Sequence, residues 1–407
     1  MEQISKIAKA DLKKASGLLL ALSIIFVAAN LRAPITSVGP LVSYIRESTG
    51  ISNSVAGLLT TVPLLAFTFM SPFAPQLARR YGVERVIFIA LIFIGIGTLC
   101  RSISSSVALF GGTILIGLSI AVCNVLIPSL VKRDFSSKIG LMTGIYSVSM
   151  NLCGAFASGI SVPLARDAGF GWQGALSCWL VLTAVGIVFW LPRMSKTRQA
   201  AAAVSQVSTA AGEAKPWRSS LAWQVTLFMG LQSFIFYNLV AWLPEILNDR
   251  GMTDDTAGWM LSLIQFSMLP FTFVIPIIAS RMKSQRILVI ITTVLYLVGI
   301  GGLLLDGNGL VPLWSVFIGI AGAGSFSLAM LFFTLRTRTS HAAAQLSGMA
   351  QSVGYFLAAI GPLVFGILHD MTHHWTVSIG MLIAASLLIF IFGMGAARNR
   401  YVGDAQA

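Results

Sequence analysis

Twelve apolar stretches, each about as long as a helix that crosses a bilayer, follow one another along this chain with mostly short polar breaks between them. A hydrocarbon layer about 30 Å thick needs a helix of about 20 apolar residues. The stretches fall at 16–44, 54–78, 86–104, 106–131, 139–165 and 172–192, then at 220–247, 255–280, 286–305, 310–335, 342–368 and 375–397. None alternates with the two-residue period of a barrel strand, so each predicts a helix that satisfies its own backbone. Composition agrees. Residues of the AVILMFWYC set make up 56% of the 407 and charged residues only 10%, against about 25% charged in a soluble globular domain. So little charge cannot cover the water-facing surface of a soluble fold this large. Soluble enzymes, nucleic-acid binders and disordered scaffolds are thereby excluded. The first apolar run, after Lys6, Lys9, Asp11, Lys13 and Lys14, far exceeds the roughly 7–15-residue core of a cleavable signal, and is expected to stay as span 1.

The net charge of +13 is explained by orientation. Lys and Arg concentrate on the cytoplasmic side of membrane proteins. With the N-terminus inside, 22 of the 27 Lys and Arg residues fall on that side, among them Arg79, Arg80, Arg85, Lys132, Arg133, Arg281 and Arg336. Arg46, Arg101, Arg166 and Arg250 fall outside, and Arg32 on neither side. Both termini are expected in the cytoplasm, with the bilayer as the chain's environment and no nucleic-acid partner.

The halves repeat. At a shift of 201 residues Gly50, Ala56 and Gly57 meet Gly251, Ala257 and Gly258, Pro75 meets Pro276, Ala78 meets Ala279, Arg80 meets Arg281 and Arg85 meets Arg286. The predicted organisation is an all-α integral membrane protein of two six-helix bundles, 1–193 and 218–407, joined by a polar cytoplasmic linker at 194–217. Parallel six-span repeats build alternating-access carriers, whose solute sits between the bundles near the midplane.

The segment Pro75-Gln76-Leu77-Ala78-Arg79-Arg80-Tyr81-Gly82-Val83-Glu84-Arg85 resembles the loop 2–3 signature of the major facilitator superfamily. Leu77, Ala78, Arg80, Gly82 and Arg85 agree with it, whereas Pro75 replaces a Gly and Arg79 stands where an Asp usually sits. That Asp belongs to a charge relay at the cytoplasmic gate, so the resemblance implies a gating role for Arg80 and Arg85 but not the full relay. Asn30-Leu31-Arg32-Ala33-Pro34-Ile35-Thr36 in span 1 and Ile127-Pro128-Ser129-Leu130-Val131-Lys132-Arg133 in span 4 resemble the cyanate porter branch of the superfamily. That branch implies movement of cyanate or 2-nitroimidazole across bacterial inner membranes. It also implies a cavity lined by spans 1, 4, 7 and 10 and flanked by spans 2, 5, 8 and 11.

Arg32 is the most informative single residue. It lies about 24 Å into span 1 at roughly 1.5 Å per residue, near mid-membrane, where a charge costs about 2.5–3.5 kcal/mol or more. It must face the bundle interior or a watered cavity, and its fork of donors suits oxyanions. A structural Arg bonded to carbonyls at a break before Pro34 is the other reading. No Asp or Glu lies inside the first six spans. Glu245 of span 7 is the best-placed membrane acid, read as an outer gating or coupling group. Asn124, Asn151, Tyr237, Asn238, Gln351 and Tyr355 are the remaining candidate substrate contacts, each with interhelical bonding as its alternative. The cysteines read as small apolar residues, and His369, His373 and His374 as solvated loop residues. No metal site and no cofactor is expected.

The sequence therefore predicts a monomeric secondary transporter for a small anion or compact polar solute, working by alternating access, with proton coupling left open. A proton-coupled multidrug exporter is the first alternative and a non-transporting receptor or scaffold the second. An enzyme is not expected, for want of a nucleophile–base or metal constellation.

Overall fold

The computed structural model describes residues 18–204, 216–305 and 307–404. Lys6, Lys9, Lys13 and Lys14 at the N-terminus and Lys215, with the stretch 205–215 of the linker, lie outside the described residues, which are mostly helical with no strand among them.

Proline breaks two of the spans. Pro34 and Pro40 interrupt span 1 into α1 (18–30), α2 (Ala33–Thr36) and α3 (Val42–Thr49), with a 3-10 turn at Gly39–Leu41. Each proline removes an N–H and crowds the preceding turn. Span 2 bends by 56° between α4 (Asn53–Met70) and α5 (Ala74–Tyr81), at Ser71-Pro72-Phe73. Spans 3 to 6 are α6 (Val83–Arg101), α7 (Ser106–Asp134), α8 (Ile139–Arg166) and the pair α9 (Gly171–Ser177) and α10 (Trp179–Val204). Spans 7 to 12 are α11 (Ser220–Asn248), α12 (Asp254–Arg281), α13 (Arg286–Gly302), α14 (Val311–Leu335), α15 (Ser340–Thr372) and α16 (Trp375–Ala396). Among the described residues ten helical segments are long and apolar enough to cross a membrane; the bent α4–α5 pair and the shorter α13 complete the twelve expected stretches.

The described chain packs as two compact units. The first takes the residues up to Thr60, Leu77–Ile127 and the chain from Ser149 to the linker; the second takes Thr61–Gln76, Pro128–Val148 and the chain after the linker. In the first unit, Asn30 ties α1 to α10. Its amide donates to the Leu182 carbonyl at 3.2 Å, and the Thr183 hydroxyl donates to its Oδ1 at 2.7 Å. Away from the basic loops, Val38, Leu41, Ile45, Leu109, Trp172 and Leu176 form an apolar cluster.

The second unit shows why short pieces of the first half leave their own bundle. At the end of the molecule that carries the basic loops, they are clamped to second-half helices. Lys132, at the end of α7, donates from Nζ to the carbonyls of Thr334 and Thr337, 2.6 Å each, at the C-terminus of α14. The Ser352 hydroxyl of α15 donates to the Thr68 carbonyl of α4 at 2.7 Å. Glycines make the approach close. A Cβ on Gly140 would collide with Ser280 and the Pro276 carbonyl of α12, one on Gly144 would lie 2.7 Å from the Phe273 carbonyl, and one on Gly348 would lie 2.7 Å from the Ser71 carbonyl.

The internal repeat is visible in these close approaches, in each half separately. A Cβ on Gly97 of α6 would meet Ile116 Cγ1 at 2.8 Å and the Gly112 carbonyl at 2.9 Å of α7; one on Gly299 of α13 would meet Ile318 Cγ1 at 2.8 Å and the Trp314 carbonyl at 3.0 Å of α14. All three pairs are 202 residues apart. Likewise Gly186 faces the Phe26 carbonyl and Gly393 faces the Phe228 ring, at shifts of 207 and 202. By these contacts the first, third and fourth spans of each half are related by 202 and the sixth by 207, against 201 for the loop identities.

Candidate functional site

Arg32 stands at the break in span 1, as the N-cap residue of α2 rather than in mid-helix. The break falls just before Pro34, where the sequence allowed one. It is partly exposed. Its stem lies on α8: a Cβ on Gly154 would sit 2.9 Å from Arg32 Cβ and 3.6 Å from Arg32 Cγ. The Thr36 hydroxyl donates to the Gly154 carbonyl at 2.7 Å, pinning α2 to the same point. The root of the Arg32 side chain therefore lies against a neighbouring span. One turn before Gly154, on the same face of α8, Asn151 holds a buried Nδ2 with no hydrogen-bond partner. The first unit thus gathers a fixed cation and an unused amide donor around one glycine. Asn124 of α7 is in this unit as well, and is also partly exposed.

The break itself is held by a residue that the sequence placed among the outer charges. Arg101, at the end of α6, is 1% exposed and donates from Nη1 to the Pro34 carbonyl. Its Nε and Nη2 have no partner. A carbonyl released by a proline break in lipid needs a donor, and Arg101 supplies it.

Of the other expected site residues, Tyr237, Asn238, Glu245, Gln351 and Tyr355 lie in the second unit and Arg80 and Arg85 in the first. Asn238 is fully buried at the α11–α15 seam, its Nδ2 turned back to the Phe234 carbonyl at 2.7 Å, directly against Gly361. Gln351 is buried and donates to the Ser347 hydroxyl at 2.8 Å. Tyr355 packs its ring on Phe67, centroids 4.8 Å apart. Tyr237 is partly exposed and meets Phe236 edge-on at 5.4 Å. Glu245 is exposed, three residues from the end of α11. Arg80 and Arg85 are exposed at the basic end, and Arg80 lies over the Tyr81 ring at 5.2 Å.

His369 is not a solvated loop residue: it lies within α15, stacks on Trp375 at 3.8 Å and stands 4.0 Å from Asp249. Trp375, the first residue of α16, accounts for this by bridging to Asp249 through its indole N–H at 2.6 Å. Among the described residues no group of His, Cys, Asp and Glu is arranged to hold a metal ion.

Comparison with known proteins agrees with this architecture. The family described as Major Facilitator Superfamily matches residues 18–362. The chain is 46% identical to the uncharacterised transporter YycB of Bacillus subtilis (strain 168), over 97% of each chain. It is 39% identical to the 2-nitroimidazole transporter of Escherichia coli (strain K12), over 95% of this chain and 97% of that one. It is 26% identical to the cyanate transport protein CynX of the same organism, over 87% and 91%. Among solved structures, the proton:xylose symporter XylE bound to 6-bromo-6-deoxy-D-glucose superimposes with a TM-score of 0.77, covering 96% of this chain and 98% of that one at 12% identity.

Proposed function

The chain belongs to the Major Facilitator Superfamily, and from that premise we propose that it carries a small anion, or a compact polar molecule with strong acceptor atoms, with Arg32 as the anchor. The observation that carries this reading is the Arg32–Gly154–Asn151 arrangement. A guanidinium is held by its stem at a helix break, partly exposed, beside an amide donor that nothing else uses. A fixed cation together with an amide donor favours anions. A fixed fork also grips a planar oxyanion in two places, which an ammonium does not. The substrates named for the relatives, 2-nitroimidazole and cyanate, fit such a site, since each presents strong acceptor atoms.

Transport then proceeds by alternating access around a midplane site of two bundles, 1–193 and 218–407, joined by the 194–217 linker. The chain works as a monomer in a bacterial inner membrane, with both termini in the cytoplasm, so that the basic end is the cytoplasmic gate. Asn124, Tyr237, Asn238, Gln351 and Tyr355 stand as further substrate contacts, Glu245 as an outer gating or coupling group, and Arg80 and Arg85 as cytoplasmic gating residues.

A ligand that binds only the native protein raises its apparent stability. The purified protein is therefore screened by thermal unfolding against cyanate, nitrate, nitrite and 2-nitroimidazole, with tetraalkylammonium ions as controls. Stabilisation by the first group, and uptake of the stabilising solute into proteoliposomes, is the expected result. Stabilisation by the organic cations alone contradicts the reading.

A further inference from the structure

The turn that follows α14 is held from two sides. From one, Lys132 reaches the Thr334 and Thr337 carbonyls. From the other, the end of the chain holds it. After α16 the chain turns back, and the Val402 N–H donates to the Arg336 carbonyl at 2.8 Å, with Val402 itself buried. Gly403 takes a φ of +98°, which side chains resist, and so closes a turn in which the Asp404 N–H donates to the Tyr401 carbonyl at 3.1 Å. The Asp404 carboxylate then accepts from the Tyr401 N–H at 3.0 Å and from Arg338 Nη2 at 2.8 Å. Arg336 is 2% exposed; its Nε donates to the Ala396 carbonyl at the end of α16 at 2.7 Å, and its Nη2 to Gln285 Oε1. Gln285 in turn donates to the Ala279 and Met282 carbonyls at the end of α12, at 3.0 Å each. All of these residues belong to the second unit.

We propose that Tyr401–Asp404 is a strap that sets how firmly Lys132 clamps the basic end of this unit, and that drawing the strap off loosens the clamp. Nothing in this depends on Arg32. The two acceptors of Lys132 lie three residues apart, so one ammonium serves both only while the turn keeps a single shape. The C-cap of α14 is Arg336 and the N-cap of α15 is Thr339, with only Thr337 and Arg338 between them. The bond from Val402 fixes the Arg336–Thr337 peptide plane, which lies between the two acceptors, and the Asp404 pair fixes Arg338 just beyond them. Without the strap the Arg336 carbonyl must find another donor, and the turn is free to rotate away from Lys132. The strap is also the side that can let go. It is short and terminal, and one of its two ties is a water-exposed ion pair, worth little by itself. Segments tied so lightly open at low free energy while the packed helices around them stay closed.

Spin labels at Ser137 and Lys283, both exposed, read the clamp in the purified, cysteine-free protein. They are compared in wild type, in Val402→Pro and in a chain ending at Arg400, each with and without Lys132→Met. Proline takes away the N–H that Val402 gives to Arg336. The expected result is a roughly threefold to tenfold rise in the parted population in Val402→Pro, the size of one neutral hydrogen bond, and at least as large a rise in the shortened chain. In the Lys132→Met background neither change should add anything, because the strap acts through Lys132. The inference is overturned if either variant keeps the wild-type distance distribution. It is equally overturned if the effects add in full to that of Lys132→Met, which would make the strap an independent brace. Thermal unfolding checks that each variant folds. Should the first two not fold, Asp404→Asn decides, since it weakens only the exposed pair: a roughly twofold rise in the parted population supports the strap, and an unchanged distribution overturns it.

Discussion

At the residue scale, Arg32 was legible because nothing else in the first apolar run carries charge. The glycine that seats it was not. Gly154 lies in a run of small residues in span 5, and its importance comes from a side chain more than a hundred positions away. A methyl group there would sit 2.9 Å from Arg32 Cβ, and overpacking of this kind typically costs about 1–3 kcal/mol. Gly154→Ala should therefore weaken anion binding at least tenfold while the protein still inserts and unfolds cooperatively, as read by titration and by thermal unfolding of the purified variant. Arg101 escaped the sequence for another reason. It ends an apolar run, which reads as a loop charge; only the folded chain shows the end of α6 tucked against the Pro34 carbonyl. Arg101→Met leaves that carbonyl without its donor. Arg101→Lys, which keeps one charge-assisted bond, should recover much of any lost affinity in the same titration, and failure of the lysine to do better than methionine would show that the bond to Pro34 does not matter to binding.

At the element scale, helix ends do the work. The last carbonyls of a helix lack intrahelical partners and carry partial negative charge, and Lys132 caps those of α14 from across the repeat. Each charge-assisted bond is worth about 1.5–3 kcal/mol, and 1.4 kcal/mol is a factor of ten in population. Lys132→Met should populate a state in which the basic ends of α7–α8 and α12–α14 have parted, and Lys132→Arg should not. Gly140→Val, which cannot keep its approach to the Pro276 carbonyl, should do the same as Lys132→Met. Spin labels at the exposed Ser137 and Lys283, in a cysteine-free background, read the separation; distance distributions that superimpose on wild type in both variants would remove the clamp. The signature loop gave no hint of this clamp. Its Arg79 and Arg80 are exposed, and the contacts that close this end are made by a lysine in span 4 and by glycines whose partners lie in the other half.

At the scale of the whole molecule, twelve spans and a duplicated plan could be read directly from hydropathy and a run of loop identities, since a bilayer allows few other solutions. The breaks in spans 1 and 2 could be read only as proline positions. The in-span register of the repeat is harder to read, because its identities, such as Gly97 with Gly299 and Ile116 with Ile318, stand among pairs such as Gly112 and Trp314 that share no chemistry; what repeats is how closely backbones approach. The distribution of Lys and Arg makes a separate prediction. A C-terminal green fluorescent protein fusion should fluoresce, and alkaline phosphatase inserted in the loop at Gly169 should be active; the reverse pattern would invert the topology.

The central claim is that the guanidinium of Arg32 binds the solute. Titration of the purified wild type, Arg32→Lys and Arg32→Gln with cyanate and nitrate tests it most directly. Saturable binding in wild type, a weakened remnant in Arg32→Lys and none in Arg32→Gln, with all three unfolding at similar temperatures, is the expected result; equal affinity in wild type and Arg32→Gln would show that the guanidinium does not hold the solute.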